Sequence, residues 1–355
     1  MNIRELSLLL KPEQAALVLD EQSRFYLTGF AASDGALLVT RDASFFWTDS
    51  RYIEAAEATV TDAAVILQEP NLYAQAEPVL KKAGITEILT EASRLSVQDL
   101  NNWRVNLRDY TYNVSNHLDL MISSLREVKL PEEVEKLDRA QRIAEAGFRA
   151  TLPYIKPGAR ERDIANELEY NMKKNGADGI SFETIVVSGA NSSKPHGVPG
   201  DKCVEDGDFV TIDFGALYEG YHSDTTRTVA VGHVTDEMAK VYDIVLTAQK
   251  AACDALQPGL AAADYDKVAR DIITEAGYGP YFGHSLGHGV GVEIHEHPFC
   301  GPRSGSILQA GNVVTSEPGI YLPGRFGVRI EDMLLVTQEG SRNFCRLPKE
   351  LLVLK

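Results

Sequence analysis

Apolar and polar positions follow two regimes along this chain, and the change between them lies near residue 128. Before it, the short apolar runs AALVLD (15–20), GALLVT (35–40) and ASFFWTD (43–49) predict strands. SRYIEAAEA (50–58) and the region from Tyr73 to Ala83 predict helices. Strands alternating with helices predict an α/β layer. From Pro131 onward, EEVEKLDRAQRIAEAGFRATLPYI spaces its apolar residues as one long helix does. The boundary therefore lies within 124–131, giving a small domain at 1–127 and a larger one at 128–355.

The larger domain contains an internal repeat. A Pro-Gly break interrupts helical patterning at Pro157-Gly158 and again at Pro258-Gly259, an offset of 101 residues. DGDFVTIDFGALYEG (206–220) aligns with AGNVVTSEPGIYLPG (310–324) at an offset of 104, which sets Asp213 on Glu317 and Gly220 on Gly324. Two units are too few for a solenoid, so the pattern predicts a closed, duplicated α+β domain with a site between its halves.

Composition narrows the function. With 51 acidic and 35 basic residues, the net charge of -16 and the lack of a basic cluster argue against nucleic-acid or anionic-membrane partners. No apolar run approaches the roughly 18 residues of a transmembrane helix. The amino terminus, MNIRELSLLLKPEQ, meets charge and proline too early for a signal peptide, so a cytoplasmic location is expected. Cys203, Cys253, Cys300 and Cys345 form no C-x-x-C pair and are expected as buried free thiols.

The chemistry is concentrated in two hairpins. In FVTIDFGALYEGYHSDTTRTVAV (209–231), a turn near Tyr218-Glu219-Gly220 sets Asp213 and Asp224 almost symmetrically about it. Paired strands would bring their carboxylates within about 5 to 8 Å of each other. Aspartates facing one another inside apolar strands repel and are poorly solvated, and a divalent cation between them resolves both problems. VVTSEPGIYLPGRFGVRIEDMLLV (313–336) repeats the arrangement, with Glu317 and Glu331 symmetric about Gly324. Four carboxylates and one nitrogen donor suffice for a dinuclear site, and oxygen-rich ligation favours hard cations such as manganese.

HSLGHGVGVEIHEHP (284–298) offers the nitrogen donor. His284 and His288 have the spacing of a helical zinc motif, but Gly283, Gly287, Gly289 and Gly291 argue against a helix. Leu286 to His295 reads as an extended strand with close backbone approach, His284 and His288 on one face and His295 on the other. One histidine can ligate while the others poise protons or bind substrate. His196 lies in the loop NSSKPHGVPGD (191–201), whereas His117, His222, His233 and His297 read as structural or exposed.

TIDFGALYEGYHSDTTRT, HSLGHGVGVEIHE, TSEPGIY and GVRIEDMLLVT, in this order, resemble the pita-bread metallopeptidases, the group of aminopeptidase P, prolidase, methionine aminopeptidase and creatinase. RFYLTGFAASDGALLVT and FFWTDSRYIEAA resemble the creatinase-like N-terminal domain, which narrows the resemblance to the proline-specific branch. The resemblance implies an α/β N-terminal domain before a pseudo-twofold pita-bread domain. It implies two divalent metals, manganese foremost and cobalt or zinc as alternatives, held by Asp213, Asp224, His288, Glu317 and Glu331. Asp224 and Glu331 would bridge the metals, and Arg329 would orient the carboxylates.

It further implies a hydrolase attacking the bond before a proline at the second position of a peptide. Glu317 would move the water's proton, His295 and His196 would hydrogen-bond the tetrahedral intermediate, and His284 would line the proline pocket. A homodimer is also implied. Aminopeptidase P-type activity is the favoured reading and a dipeptidase the alternative; the latter needs a cation for the substrate carboxylate, for which Arg303 is the candidate. A metal-free creatinase-like amidinohydrolase and a non-catalytic protein-binding module are the distant alternatives, and the intact acidic set counts against both.

Overall fold

The apolar runs of the first region form strands Gln14–Val18, Ala36–Thr40 and Ser44–Thr48 in the computed structural model, which describes residues 2–355. They join a mixed six-stranded sheet ordered Ala64–Leu67, Ser44–Thr48, Ala36–Thr40, Gln14–Val18, Glu87–Thr90, Thr111–Asn113. Gln14–Val18 and Ala36–Thr40 are buried at every position, because a strand covered on both faces carries a continuous apolar run. Helices Ile53–Thr59 and Leu72–Lys82 stand where helical spacing predicts them.

Helices Asn2–Leu9, Glu21–Thr28, Val97–Asn106 and His117–Glu127 add to those the apolar pattern predicts. Glu21–Thr28 is fixed by its ends: Asp20 accepts from the Ser23 N–H, and Gly29 closes it in the left-handed region at φ 71°. The chain divides into two compact units that part between Arg126 and Glu127. Among the described residues no helix is long and apolar enough to cross a membrane.

The second unit begins with helix Pro131–Thr151, which opens on proline and carries Leu137, Ala140, Ala144 and Phe148 on its buried face. After the first Pro-Gly break comes helix Glu161–Lys174, then a four-stranded sheet with Thr225–Val231, Phe209–Phe214 and Ile185–Ser188 in adjacent positions. Leu168 and Met172 of that helix share a core with Val186, Ile212 and Phe214. The second half repeats the plan. Helices Asp236–Ala255 and Ala262–Glu275 flank the second break, and a five-stranded sheet follows, ordered Glu296–Cys300, Gly287–Gly289, Val313–Ser316, Asp332–Thr337, Gly340–Asn343. Val241, Val245 and Ala248 pack there with Val314 and Leu334. The helices that follow the two breaks are both 14 residues long.

The first hairpin is offset by one position from expectation. Its two-residue turn, Glu219-Gly220, has φ of 46° and 78°, so Asp213 pairs with Thr226 and not with Asp224. Two residues along the same strand direction, Asp224 is a diagonal neighbour on the same face. In the second hairpin Ser316 pairs with Asp332 and Gly319 with Arg329, which leaves Glu317 opposite Glu331 as expected.

Two further departures lie in the rest of the motif regions. The strand expected over 286–295 is only Gly287–Gly289, followed by a bend that runs to His295. Close backbone approach does hold it: a Cβ on Gly287 would stand 2.2 Å from the Thr315 carbonyl oxygen. Of the four cysteines, Cys203 is exposed while the other three are buried and free.

Candidate active site

The carboxylates of both hairpins open on one cavity of about 480 Å³, lined also by His196, His284, His288, His295 and Arg329. Phe182, Ile185, Ile294 and Phe299 form its apolar wall. Asp213 lies within strand Phe209–Phe214, whereas Asp224 just precedes Thr225–Val231, Glu317 follows Val313–Ser316 and Glu331 just precedes Asp332–Thr337, so three of the four acids stand at strand ends. Donor atoms of Asp224, His288 and Glu331 lie within 4.8 Å of one another, and all three residues are buried. The His288 Nε2 is 3.5 Å from Asp224 Oδ2 and 3.5 Å from Glu317 Oε1.

These donors fit cations. His288 Nδ1 faces the Gly289 carbonyl oxygen at 3.1 Å and so carries the proton, which turns the Nε2 lone pair towards the carboxylates. Burial, with His295 next to it, lowers the His288 pKa to about 4, so no proton fills that gap at neutral pH. Burial followed by Asp213 and Glu317 raises Asp224 well above its ordinary range, and burial followed by Asp224 and Glu317 does the same to Glu331. Glu317 is pushed up to about 8, chiefly by burial, with the Asp213 charge adding to it against the pull of Arg329. Asp213 Oδ1 is buried with no hydrogen-bond partner. Converging lone pairs, carboxylates that resist ionisation together and an orphaned oxygen are what divalent cations satisfy.

One guanidinium braces the cluster. Arg329, 3% exposed, donates to Asp213 Oδ2 at 2.6 Å, to the Tyr321 hydroxyl at 2.9 Å and to the Pro195 carbonyl at 3.3 Å. Its Nε donates to Thr226 Oγ1 at 3.0 Å, and Thr226 passes its own proton to Glu331 Oε2 at 2.7 Å. Tyr321 accepts from Arg329 and stands 2.9 Å from His284 Nε2. Because His284 Nδ1 faces the Ser285 carbonyl oxygen at 2.8 Å, its Nε2 is the acceptor and Tyr321 the donor. Burial, reinforced by Arg329, lowers the His284 pKa to about 4, which keeps the ring neutral.

Thr226 and Tyr321 escaped the sequence reading because a hydroxyl gives no charge signal. Thr226 was findable, since it shares the face of Asp224 two positions on.

His295 departs from the strand expectation. The bend after Gly289 brings its ring to 4.3 Å from that of His288, edge to face, instead of onto the opposite side. His196 lines the same cavity from its loop. Among the remaining histidines, His222 is half-buried against Ser181, His233 pairs with Asp206 at the surface and His297 packs on Phe299. His117 opens helix His117–Glu127.

The stability of the cation-free protein should depend on pH. In the unfolded chain these carboxylates ionise near their ordinary values of about 4. The folded form holds their protons to about pH 8 at Glu317 and also beyond the ordinary range at Asp224 and Glu331. Over that window the folded form binds more protons, so its stability falls as pH rises. Urea unfolding in EDTA is expected to lose on the order of 3 kcal/mol between about pH 5 and 8. Added manganese should remove the trend, and a flat profile in EDTA would contradict the carboxylate cluster's ionisation.

Comparison with known proteins is consistent with this geometry. The model of metallopeptidase family M24 matches residues 135–338, and that of the Creatinase/Prolidase N-terminal domain matches residues 13–128. An Xaa-Pro dipeptidase of Pyrococcus horikoshii is 36% identical over 339 residues, 95% of this chain and 94% of the relative. The structure of an Xaa-Pro dipeptidase from Bacillus anthracis superposes with a TM-score of 0.95 at 39% identity, covering 99% of each chain. That of an X-Pro aminopeptidase from Thermotoga maritima gives 0.92 at 37% identity, covering 98% of this chain and 99% of the other. Both models lie in chain order and the relatives match over nearly the whole length, so the chain belongs to metallopeptidase family M24, as a metal-dependent Xaa-Pro peptidase with a creatinase/prolidase N-terminal domain.

Proposed function

We propose that this chain is an Xaa-Pro dipeptidase, and that Asp213, Asp224, His288, Glu317 and Glu331 hold two divalent ions, manganese foremost. The aminopeptidase P-type reading favoured from the sequence gives way here to its alternative, since dipeptidases predominate among the named relatives. The similarity to an X-Pro aminopeptidase keeps the longer-substrate reading in view.

The observation that carries the choice is a second cavity, of about 720 Å³, which shares His284, Ser285 and Phe299 with the first. It holds Arg270 and Arg303. Arg270 is committed to Asp266 and to the carbonyls of Phe282 and His284. Arg303 is exposed and makes no ion pair among the described residues, which leaves it available for the free carboxylate of a dipeptide.

These five residues would hold the divalent ions, which when bound would supply a nucleophilic water at neutral pH and polarise the scissile carbonyl. The chain's own groups do the rest. Glu317 takes a proton from water and gives it to the proline nitrogen as the bond breaks. That nitrogen belongs to a tertiary amide without an N–H, so it leaves only if protonated. His295 and His196 donate to the oxyanion, and burial that lowers the His295 pKa keeps its ring a neutral donor. His284, its Nε2 taken by Tyr321, presents a fixed ring face to the substrate.

Hydrolysis of an Xaa-Pro dipeptide is to be compared with that of the matching Xaa-Pro-Yaa tripeptide under added manganese. Arg303→Ala is expected to raise KM for the dipeptide about 10- to 100-fold, with little effect on the tripeptide. A preference of the unaltered chain for the tripeptide would restore the aminopeptidase reading.

A further inference from the structure

The loop that carries His196 is closed by a single buried carboxylate, that of Glu161. It is the first residue of helix Glu161–Lys174 and is 0% exposed. Its Oε1 accepts from the Ser188 N–H at 2.7 Å, the Ser188 hydroxyl at 3.0 Å and Asn191 Nδ2 at 3.1 Å. Its Oε2 accepts from Asn191 Nδ2 at 3.3 Å and from the Gly200 N–H at 3.1 Å. Ser188 begins the loop and Gly200 ends it, so one side chain joins both ends. The Glu161 N–H donates to the Lys202 carbonyl at 3.0 Å and the Arg162 N–H to that of Gly200 at 3.1 Å, which closes the seam.

No cation contacts the carboxylate among the described residues; four neutral donor groups and the helix N-terminus hold it. A buried carboxylate so held has little freedom to move, and it therefore fixes whatever it binds. What it binds is a segment with little regular structure, whose far side meets the site through the Pro195 carbonyl on Arg329 and the imidazole of His196 in the cavity wall.

The second half of the domain uses a parallel device. On the matching helix Ala262–Glu275, Asp266 is 1% exposed, accepts from the Leu286 N–H at 2.9 Å and pairs with Arg270. Arg270 in turn donates to the carbonyls of Phe282 at 2.9 Å and His284 at 2.7 Å. In each half, a helix that follows the Pro-Gly break carries a buried acid that pins the segment bearing an outer histidine.

The geometry points to Glu161 as a positioning residue that sets His196 against the substrate, acting through the 188–200 loop and touching no reacting atom. The kinetic part of this rests on the Xaa-Pro peptidase reading; the structural part does not.

The test compares Glu161→Gln and Asn191→Ala, each alone and combined with His196→Ala, with saturating manganese and an Xaa-Pro dipeptide. A 1 Å displacement of a substrate-binding group costs up to about 100-fold in rate. Glu161→Gln is expected to lower kcat/KM about tenfold and Asn191→Ala about threefold, and neither should lower it further once His196 is absent. Hydrogen exchange, which needs no substrate, should quicken over 189–199 in both variants and not in the sheets. Losses that multiply in the double variants, or unchanged exchange over 189–199, overturn the assignment. If Glu161→Gln does not fold, Asn191→Ala decides on the same readings. If the unaltered chain cleaves no Xaa-Pro bond, the peptidase reading fails and the exchange measurement alone decides the clamp.

Discussion

Asp224→Ala is expected to lower kcat/KM for an Xaa-Pro dipeptide by about 10³-fold or more while leaving the chain folded. Asp224 lies at the centre of the cluster, 3.5 Å from His288 Nε2 and within reach of Glu331. Without it, the cluster keeps His288 and Glu331 but loses the carboxylate that the first hairpin sets beside them. Folding is not expected to suffer. Burial and the charges of Asp213 and Glu317 already disfavour an ionised Asp224, so alanine relieves a penalty in the cation-free protein. Melting in EDTA should therefore hold or rise, while the upward shift produced by manganese should shrink. Turnover within about tenfold of the unaltered chain would remove Asp224 from the machinery.

Arg329→Ala is expected to damage stability and activity together, by about 3–5 kcal/mol and about 100-fold respectively. The guanidinium is the charged partner of Asp213 and supports Tyr321, Thr226 and the Pro195 carbonyl at once. Its removal leaves the partly buried Asp213 carboxylate without its cation and frees the hydroxyls that orient Glu331 and His284. Lysine is a poor replacement, because a point charge cannot serve four acceptors that a planar fork reaches in fixed directions. Denaturant unfolding with and without manganese, alongside kinetics for Arg329→Lys, checks both parts. A stable, active lysine variant would show that charge alone suffices.

The carboxylates were legible in the sequence for a physical reason. A strand alternates its faces, so acids on one face of an apolar strand stand out. The repeat alone aligns Asp213 with Glu317. The register of the first hairpin was not legible to one residue, because Glu219 adopts a positive φ that its side chain disfavours, and this shifts the turn centre. The second hairpin, pairing Leu322 with Phe326 about a Pro-Gly turn, has the expected register.

The histidines were harder. His295 meets His288 through a bend among glycines, where alternation carries no information. Glu161 was invisible for a different reason: its partners are 27 to 39 residues away and are mostly backbone groups and hydroxyls. In the N-terminal unit, the strands carried continuous apolar runs, whereas helices such as Glu21–Thr28 depended on the cap at Asp20 and the stop at Gly29.

The most direct test of the central claim is metal content measured together with turnover. Protein stripped by a chelator and reloaded with manganese is assayed for bound ions and for hydrolysis of an Xaa-Pro dipeptide. Two ions per chain are expected, with hydrolysis lost on stripping and restored on reloading. Hydrolysis that persists in fully stripped protein, or reloaded protein that binds no ion at these five residues, would contradict it.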